Sequence, residues 1–312
     1  VTRTVLITGA AGSLGRALVR RLGERDDVVV IATDVREAPA PAAGVARILD
    51  VRDPALADVL REHAVDVVVH LAAILSPPKE MSPETLRAIE VGGTRNLLEG
   101  CVAAGVGRFV YTSSGAAYGY SPLNGPLLNE DAPLRGDEAF PYSHHKRLIE
   151  ELLGVYGREH PELSQAVFRV STVLGKGVHS PITRMFERPV VVGLKGVDTP
   201  FCFVWDEDVV AALEAAVIGD AAGTWNLAGD GVMTLREVAR GLGKPFVGVP
   251  EGILRKVLGA LHARGWSENT PAQVSFLRYR PVLGNQRLKR EFGFVPSKST
   301  RDVFDLYRAS RG

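Results

Sequence analysis

Thr8-Gly9-Ala10-Ala11-Gly12-Ser13-Leu14-Gly15, written TGAAGSLG, follows an apolar run at Thr4-Val5-Leu6-Ile7 and opens an amphipathic stretch from Ser13 to Arg25. Strand, glycine turn and helix in immediate succession are what a dinucleotide-binding βα unit requires. Gly9 can make the tight turn, Gly12 lets a pyrophosphate approach the backbone, and Gly15 lets the helix lie close to the sheet. Around Ala11, Ser13 and Leu14 the helix N-terminus offers unpaired amide donors and partial positive charge to phosphates.

Outward from this turn, short β-branched runs alternate with longer amphipathic stretches. Val28 to Ala32, Val45 to Leu49, Val67 to Val69, Arg108 to Thr112 and Gln165 to Val170 read as strands, with helices over Pro54–His63, Pro83–Ala104 and Pro141–His160 between them. The class is therefore α/β, a doubly wound parallel Rossmann-type sheet. Beyond residue 170 the alternation fails until Phe203-Val204-Trp205, a helix from Asp208 to Ile218 and a strand at Trp225-Asn226-Leu227. The expected division is a dinucleotide-binding domain of residues 1–170 plus 203–228 and a substrate lobe of 171–202 plus 229–312.

The chain has 312 residues, 46% hydrophobic and 23% charged, which suits a globular protein with a sizeable core. Thirty-seven basic side chains against 36 acidic ones leave a charge of +1. No overall field attracts nucleic acid or an anionic membrane, so a small-molecule substrate is the expected partner. Cys101 and Cys202 fall in no metal-ligand spacing and read as buried free thiols, and no apolar run approaches the roughly 20 residues of a membrane span. A cytoplasmic protein is expected.

Asp34 ends the second strand, where a carboxylate can accept hydrogen bonds from both adenosine ribose hydroxyls; this favours NAD over NADP. Arg36 could hold a 2′-phosphate if Asp34 swung aside. Asp50 and Val51, after the third strand, could reach the adenine, or Asp50 could simply cap the following helix. Tyr142 and Lys146 lie four residues apart, hence on one helix face, where an ammonium can favour a phenolate. Ser114, in Tyr111-Thr112-Ser113-Ser114-Gly115, stands at the carboxyl end of the fifth strand, the edge at which open α/β sheets bind ligands. Together the three residues suggest proton transfer coupled to hydride transfer.

Other polar groups read as structural. The adjacent His144 and His145 diverge by about 100° on a helix and cannot chelate one ion, so they are expected on its surface, and no metal is expected. Glu150 and Glu151 read as solvated charges. Asp206, Glu207 and Asp208 suit a helix N-terminus. Arg278, Arg280, Arg287, Lys289 and Arg290 make the tail basic, and one of them could contact an anionic substrate. Ile253 to Leu261 reads as core, or as the wall of an apolar substrate pocket.

On these motifs the chain resembles the extended short-chain dehydrogenase/reductase superfamily, the NAD-dependent epimerases and dehydratases. TGAAGSLG is similar to its phosphate loop, TSSGAAYG to its catalytic-serine segment, and Tyr142 and Lys146 to its Tyr and Lys. The resemblance implies catalytic Ser114, Tyr142 and Lys146, with Lys146 also holding the nicotinamide ribose. It further implies a cofactor wall at His70-Leu71-Ala72-Ala73, through Leu71, Ala72 and Ala73, and a homodimer formed through the helices at 83–104 and 141–160. Phe203-Val204-Trp205-Asp206-Glu207-Asp208-Val209 is similar to its late F-V-x-x-x-D-V segment. Two departures stand out. Glu90 occupies the place of an Asn assigned to a proton relay, and Phe201 that of an Arg that grips a nucleotide diphosphate. The implied activity is reversible hydride transfer with NAD at a secondary alcohol or ketone, of a sugar or sugar-nucleotide-like substrate. The alternatives are an apolar, sterol-like carbonyl substrate or a non-catalytic NAD-binding scaffold.

Overall fold

The computed structural model describes residues 2–264 and 270–311. The chain begins β1 (Arg3–Thr8), α1 (Ser13–Gly23), β2 (Val28–Asp34), β3 (Gly44–Ile48), α2 (Leu56–Glu62), β4 (Val67–His70), α3 (Pro83–Arg87), α4 (Gly93–Ala104) and β5 (Arg108–Ser114). It continues α5 (Pro141–Glu159), β6 (Ser164–Val170), β7 (Thr172–Leu174), α6 (Pro181–Glu187), β8 (Val191–Leu194), β9 (Pro200–Phe201), β10 (Phe203–Trp205), α7 (Asp206–Ile218) and β11 (Gly223–Leu227). It ends with β12 (Met233–Thr234), α8 (Leu235–Gly241), β13 (Phe246–Val249), α9 (Glu251–Ala263), α10 (Gln273–Arg278) and α11 (Thr300–Ala309).

Seven of these strands form one parallel sheet in the order β11-β6-β5-β4-β1-β2-β3. Side chains alternate across a strand, so β1 serves two cores. Val5 and Ile7 pack with Leu18 and Leu22 of α1 and Val209 and Leu213 of α7. Leu6, between them, faces Leu56 and Leu60 of α2, Leu97 of α4 and Ile149 of α5. Burial on both faces explains the continuous valine runs of β2 and β4.

The helix expected over 83–104 is interrupted. Ala88–Gly92 widens into a π-helical turn between α3 and α4. Two poor helix formers, Gly92 and Gly93, close this turn, and Asn96 of α4 donates to the carbonyls of Val51 and Asp53, tying the helix to the loop after β3.

Outside the large sheet, β7 pairs with β10, β8 with β13 and β9 with β12. A third core gathers there, with Leu174, Phe186, Phe201, Phe203, Val303 and Phe304 in contact. The expectation that Ile253 to Leu261 is core fails: no residue of α9 is buried, and Ile253 is 55% exposed. The aromatic cluster of the lobe gathers without it. Among the described residues no helix is long and apolar enough to cross a membrane. Both cysteines are buried free thiols, and burial pushes that of Cys101 upward.

Candidate active site

The turn after β1 is as tight as its glycines require. Gly9 has φ +70°, and a Cβ there would stand 2.6 Å from the Ala72 nitrogen; one on Gly15 would stand 2.2 Å from the Gly9 oxygen. Backbone can therefore come close at this point and nothing larger than glycine fits. No side chain caps α1 and no acid occupies its first turn, so the amides at Ser13 and Leu14 face outward unopposed, while that of Gly12 closes the turn onto the Gly9 carbonyl at 3.0 Å. Asp34, 8% exposed, accepts from the Ala11 amide at 3.0 Å and, through its other oxygen, from the Arg36 amide at 3.1 Å. The Arg36 guanidinium is 3.5 Å from the same carboxylate, with a side chain that is mostly exposed. These features fit an adenosine diphosphate: donors for phosphate, close backbone approach, and an oriented carboxylate.

Asp50 is held by Arg52 in two hydrogen bonds, which keep its carboxyl below the usual range, while Val51 is buried and Asp53, not Asp50, accepts from Ala55 at the start of α2. Leu71, Ala72 and Ala73 leave the end of β4 beside Gly9. A chain of hydrogen bonds braces this corner. Thr94 Oγ1 donates to the Glu90 carbonyl, so it accepts from His70 Nε2, and Thr8 Oγ1 then donates to His70 Nδ1 at 2.7 Å. Burial and the Lys146 charge push His70 down to about 3, which keeps it neutral in this role.

Ser114, Tyr142 and Lys146 converge at the carboxyl end of β5. Ser114 Oγ accepts from the Ala116 amide at 3.1 Å, so its own O–H is left to donate to the Tyr142 phenol. Burial drives the Tyr142 proton affinity upward and the Ser114 bond opposes it; Glu90 and Tyr120 add to the rise. Lys146 is buried, donates to Tyr111 Oη at 2.8 Å and to the Thr112 carbonyl at 2.7 Å, and lies 5.7 Å from the Tyr142 ring centre. Burial lowers it to about 8, against the pull of Glu90 and Glu150. The Lys146 ammonium is thus hydrogen-bonded to Tyr111 and Thr112 rather than to the Tyr142 oxygen. Tyr142 is a protonated acid here. Among the described residues one Lys146 N–H remains without a partner, available to a ligand hydroxyl.

Two residues read as surface charges are interior. His145 is 5% exposed, and its Nδ1 lies 2.6 Å from Glu90 Oε2; the other Glu90 oxygen accepts from the Ile74 amide at 3.0 Å. Glu150 is paired with Arg169 at 2.7 Å and takes the Ser113 hydroxyl. The signal was present in helical spacing: His145, Ile149, Leu152 and Tyr156 form one buried stripe, and Glu150 continues the Tyr142–Lys146 row. Glu151 is the exposed member of its pair, with Arg147 3.7 Å away.

The basic tail divides on pairing. Arg278 binds Glu251, Arg287 binds Asp131 and Lys289 binds Asp230. Arg280 has no carboxylate partner among the described residues; it donates to Thr172 and stacks over Phe201 at 4.1 Å and Phe276 at 4.6 Å. Phe201, fully buried, therefore supports a cation rather than lining an apolar pocket. Tyr120, edge-on to Phe140 and Phe276, lies close enough to Arg280 and Tyr142 for its charge state to act on both groups.

A family model described as NAD dependent epimerase/dehydratase family matches residues 5–218. The chain belongs to this family. It is 28% identical to a UDP-glucose 4-epimerase of Azospirillum brasilense over 96% of this chain and 88% of that one. It is 29% identical to an uncharacterized protein of Mycobacterium tuberculosis over 99% of this chain and 84% of its relative. The UDP-glucose 4-epimerase of Thermus thermophilus, solved with NAD, superposes with a TM-score of 0.77 at 25% identity, covering 99% of each chain. MoeE5, solved with UDP-glucuronic acid and NAD, shares the fold at a TM-score of 0.76 and 24% identity, over 99% of this chain and 98% of that one. The chain is accordingly an NAD-dependent enzyme of the epimerase/dehydratase type.

Proposed function

We propose that this enzyme performs reversible hydride transfer at a secondary alcohol or ketone of a sugar-nucleotide-like, anionic substrate. The observation that carries the reading is the meeting of Ser114, Tyr142 and Lys146 at the end of β5, beside the glycine turn. Residues 1–170 plus 203–228 would hold the cofactor, and 171–202 plus 229–312 the substrate. NAD would lie along Gly9, Ala11, Gly12, Ser13 and Leu14, with the Ser13 and Leu14 amides donating to phosphate and Gly12 and Gly15 allowing the close approach. Asp34 would take its ribose, Asp50 and Val51 its adenine, Leu71 to Ala73 its flank, and Lys146 its second ribose. When bound it supplies a site that accepts or returns a hydride. Ser114 would polarise the substrate oxygen and Tyr142 exchange its proton. Arg280, a cation over two aromatic rings with no acid partner among the described residues, supports an anionic group on the substrate. Two copies would pair through the outer faces of α4 and α5.

A second reading, an uncharged carbonyl substrate, draws on the exposed apolar side chains of α9 and the cluster of Tyr120, Phe140 and Phe276. The intact proton-transfer trio argues against a scaffold without turnover. Incubation with NAD and UDP-glucose, UDP-galactose or cyclohexanol separates these readings. Interconversion of the two sugar nucleotides without net NADH indicates an epimerase, and NADH absorbance with either indicates a dehydrogenase. Turnover of cyclohexanol alone would discard the anionic substrate.

A further inference from the structure

A hydroxyl that polarises a substrate oxygen has to stay within about 0.5 Å of one place, yet Ser114 stands where β5 gives way to a turn. Glu150 of α5 and Arg169 of β6 bear on the residues either side of it. Their side chains are 6% and 8% exposed, and the Arg169 fork grips the carboxylate, Nη2 at 2.7 Å and Nε at 2.9 Å from Oε2. Burying two charges costs about as much as their pairing returns, so stability alone does not account for the pair. Ser113, the residue before Ser114, donates its hydroxyl to Glu150 Oε1. Tyr118 ends the short turn Gly115–Tyr118 that follows, and its Oη accepts from Arg169 Nη1 at 2.8 Å, with the guanidinium 4.8 Å from its ring centre. Ser113 is 3% and Tyr118 0% exposed. Ser114 is still extended, at φ −145° and ψ 150°, so anchoring Ser113 on one side of the strand fixes the side to which Ser114 points. Between these two anchors Ser143, the neighbour of Tyr142 on α5, donates to the Ala116 carbonyl at 2.6 Å.

We propose that Glu150 and Arg169 are positioning residues: one buried ion pair clamps the segment 113–118 at both ends and so holds the Ser114 hydroxyl against Tyr142. Its effect on turnover rests on the hydride-transfer reading above. Neither residue touches the substrate; both act through Ser114. Because Glu150 stands on the helix that carries Tyr142 and Lys146, the clamp also ties that helix to the strand of the serine. It reaches the tail as well. Tyr118 Oη lies 2.8 Å from Asn226 Oδ1, and Asn226 Nδ2 donates at 3.0 Å to the carbonyl of Gly284, shortly after Arg280.

Removing Glu150 or Arg169 alone would strand a buried charge and endanger the fold, so the test cuts the anchors and leaves the pair. Ser113→Ala and Tyr118→Phe do this; Arg169 Nη1 keeps the Glu130 carbonyl at 2.8 Å. In the combined variant the amides of Ala116 and Gly119, bonded to Ser114 Oγ and to the Ala116 carbonyl, should exchange with deuterium on the order of tenfold faster. Those of β1 and α1 should keep the parental rate. Of UDP-glucose, UDP-galactose and cyclohexanol, whichever the parent turns over should lose roughly ten- to a hundredfold in kcat, the cost of a reacting group displaced by about an ångström. KM and NAD affinity should stay within about threefold. Ser113→Thr, which keeps the hydroxyl, should retain the parental kcat. On a Ser114→Ala background, cutting both anchors should cost less than about twofold more, because the clamp acts only through that hydroxyl. Parental exchange at Ala116 and Gly119 in the combined variant, or an equal further loss of kcat on the Ser114→Ala background, would overturn the clamp. Where the parent turns over none of the three substrates, the exchange rates decide. Absence of NAD binding by the parent would overturn the hydride-transfer reading and not the clamp.

Discussion

The glycine turn and the region around Arg280, proposed to hold cofactor and substrate, are built differently. At the glycine turn the determinants are backbone: unopposed amides, two glycines with no room for a methyl, and an Asp34 whose oxygens already carry hydrogen bonds. At the other end they are side chains, above all Arg280 of the tail, which has aromatic rings but, among the described residues, no acid as partner. On the proposed reading one end offers preset backbone and a carboxylate, the other a cation for an anionic group. Affinity for NAD and choice of substrate should therefore be separable by mutation.

The widest separation is expected from Gly15→Ala. Its new Cβ would stand 2.2 Å from the Gly9 oxygen, and backbone there cannot yield as a side chain would. A loss of about 3 kcal/mol or more, with NAD affinity down at least a hundredfold, is expected from calorimetry and thermal melts. A well-folded variant with parental NAD affinity would break the comparison at the cofactor end. Arg280→Met sharpens it at the other end. Losing a charged hydrogen bond worth about 1.5–3 kcal/mol should raise KM for an anionic substrate roughly ten- to a hundredfold and leave NAD binding unchanged. An equal loss of both affinities would show that the ends are not independent.

A smaller effect lies between the ends. Carbonyl reduction needs Tyr142 protonated and Lys146 charged. Burial holds the first proton on and lowers Lys146 to about 8, so charge on Lys146 is lost as pH rises through that value. The pH profile of kcat/KM for reduction should fall about tenfold per unit above pH 8. In Lys146→Arg, whose guanidinium stays charged past pH 12, that limb should vanish.

Legibility in the sequence follows the same division. The parallel sheet, the glycine turn, Asp34, Ser114, Tyr142 and Lys146 are local patterns, each readable within a few residues of a strand or helix end. His145 and Glu150 mislead because adjacency of charged residues suggests a wet surface, although the stripe His145–Ile149–Leu152–Tyr156 already runs through α5. Glu90 could be located but not paired, since its partner lies 55 residues away. Arg280 stands among several basic residues, and only tertiary structure shows that Glu251, Asp131 and Asp230 satisfy its neighbours and leave it over Phe201 and Phe276. Nothing local marks α9 as a helix with no buried residue.

Tyr142→Phe, which removes one oxygen from the centre of the cleft, tests the central claim most directly. NADH binding by fluorescence should stay within about threefold of the parent, a difference under 1 kcal/mol, because the proposed cofactor contacts, the glycine turn, Asp34 and Lys146, all remain. Turnover of the substrate that the parent accepts should fall by about 10²–10⁴, the contribution of a positioned acid–base group. Retention of parental turnover with NADH bound would contradict the account.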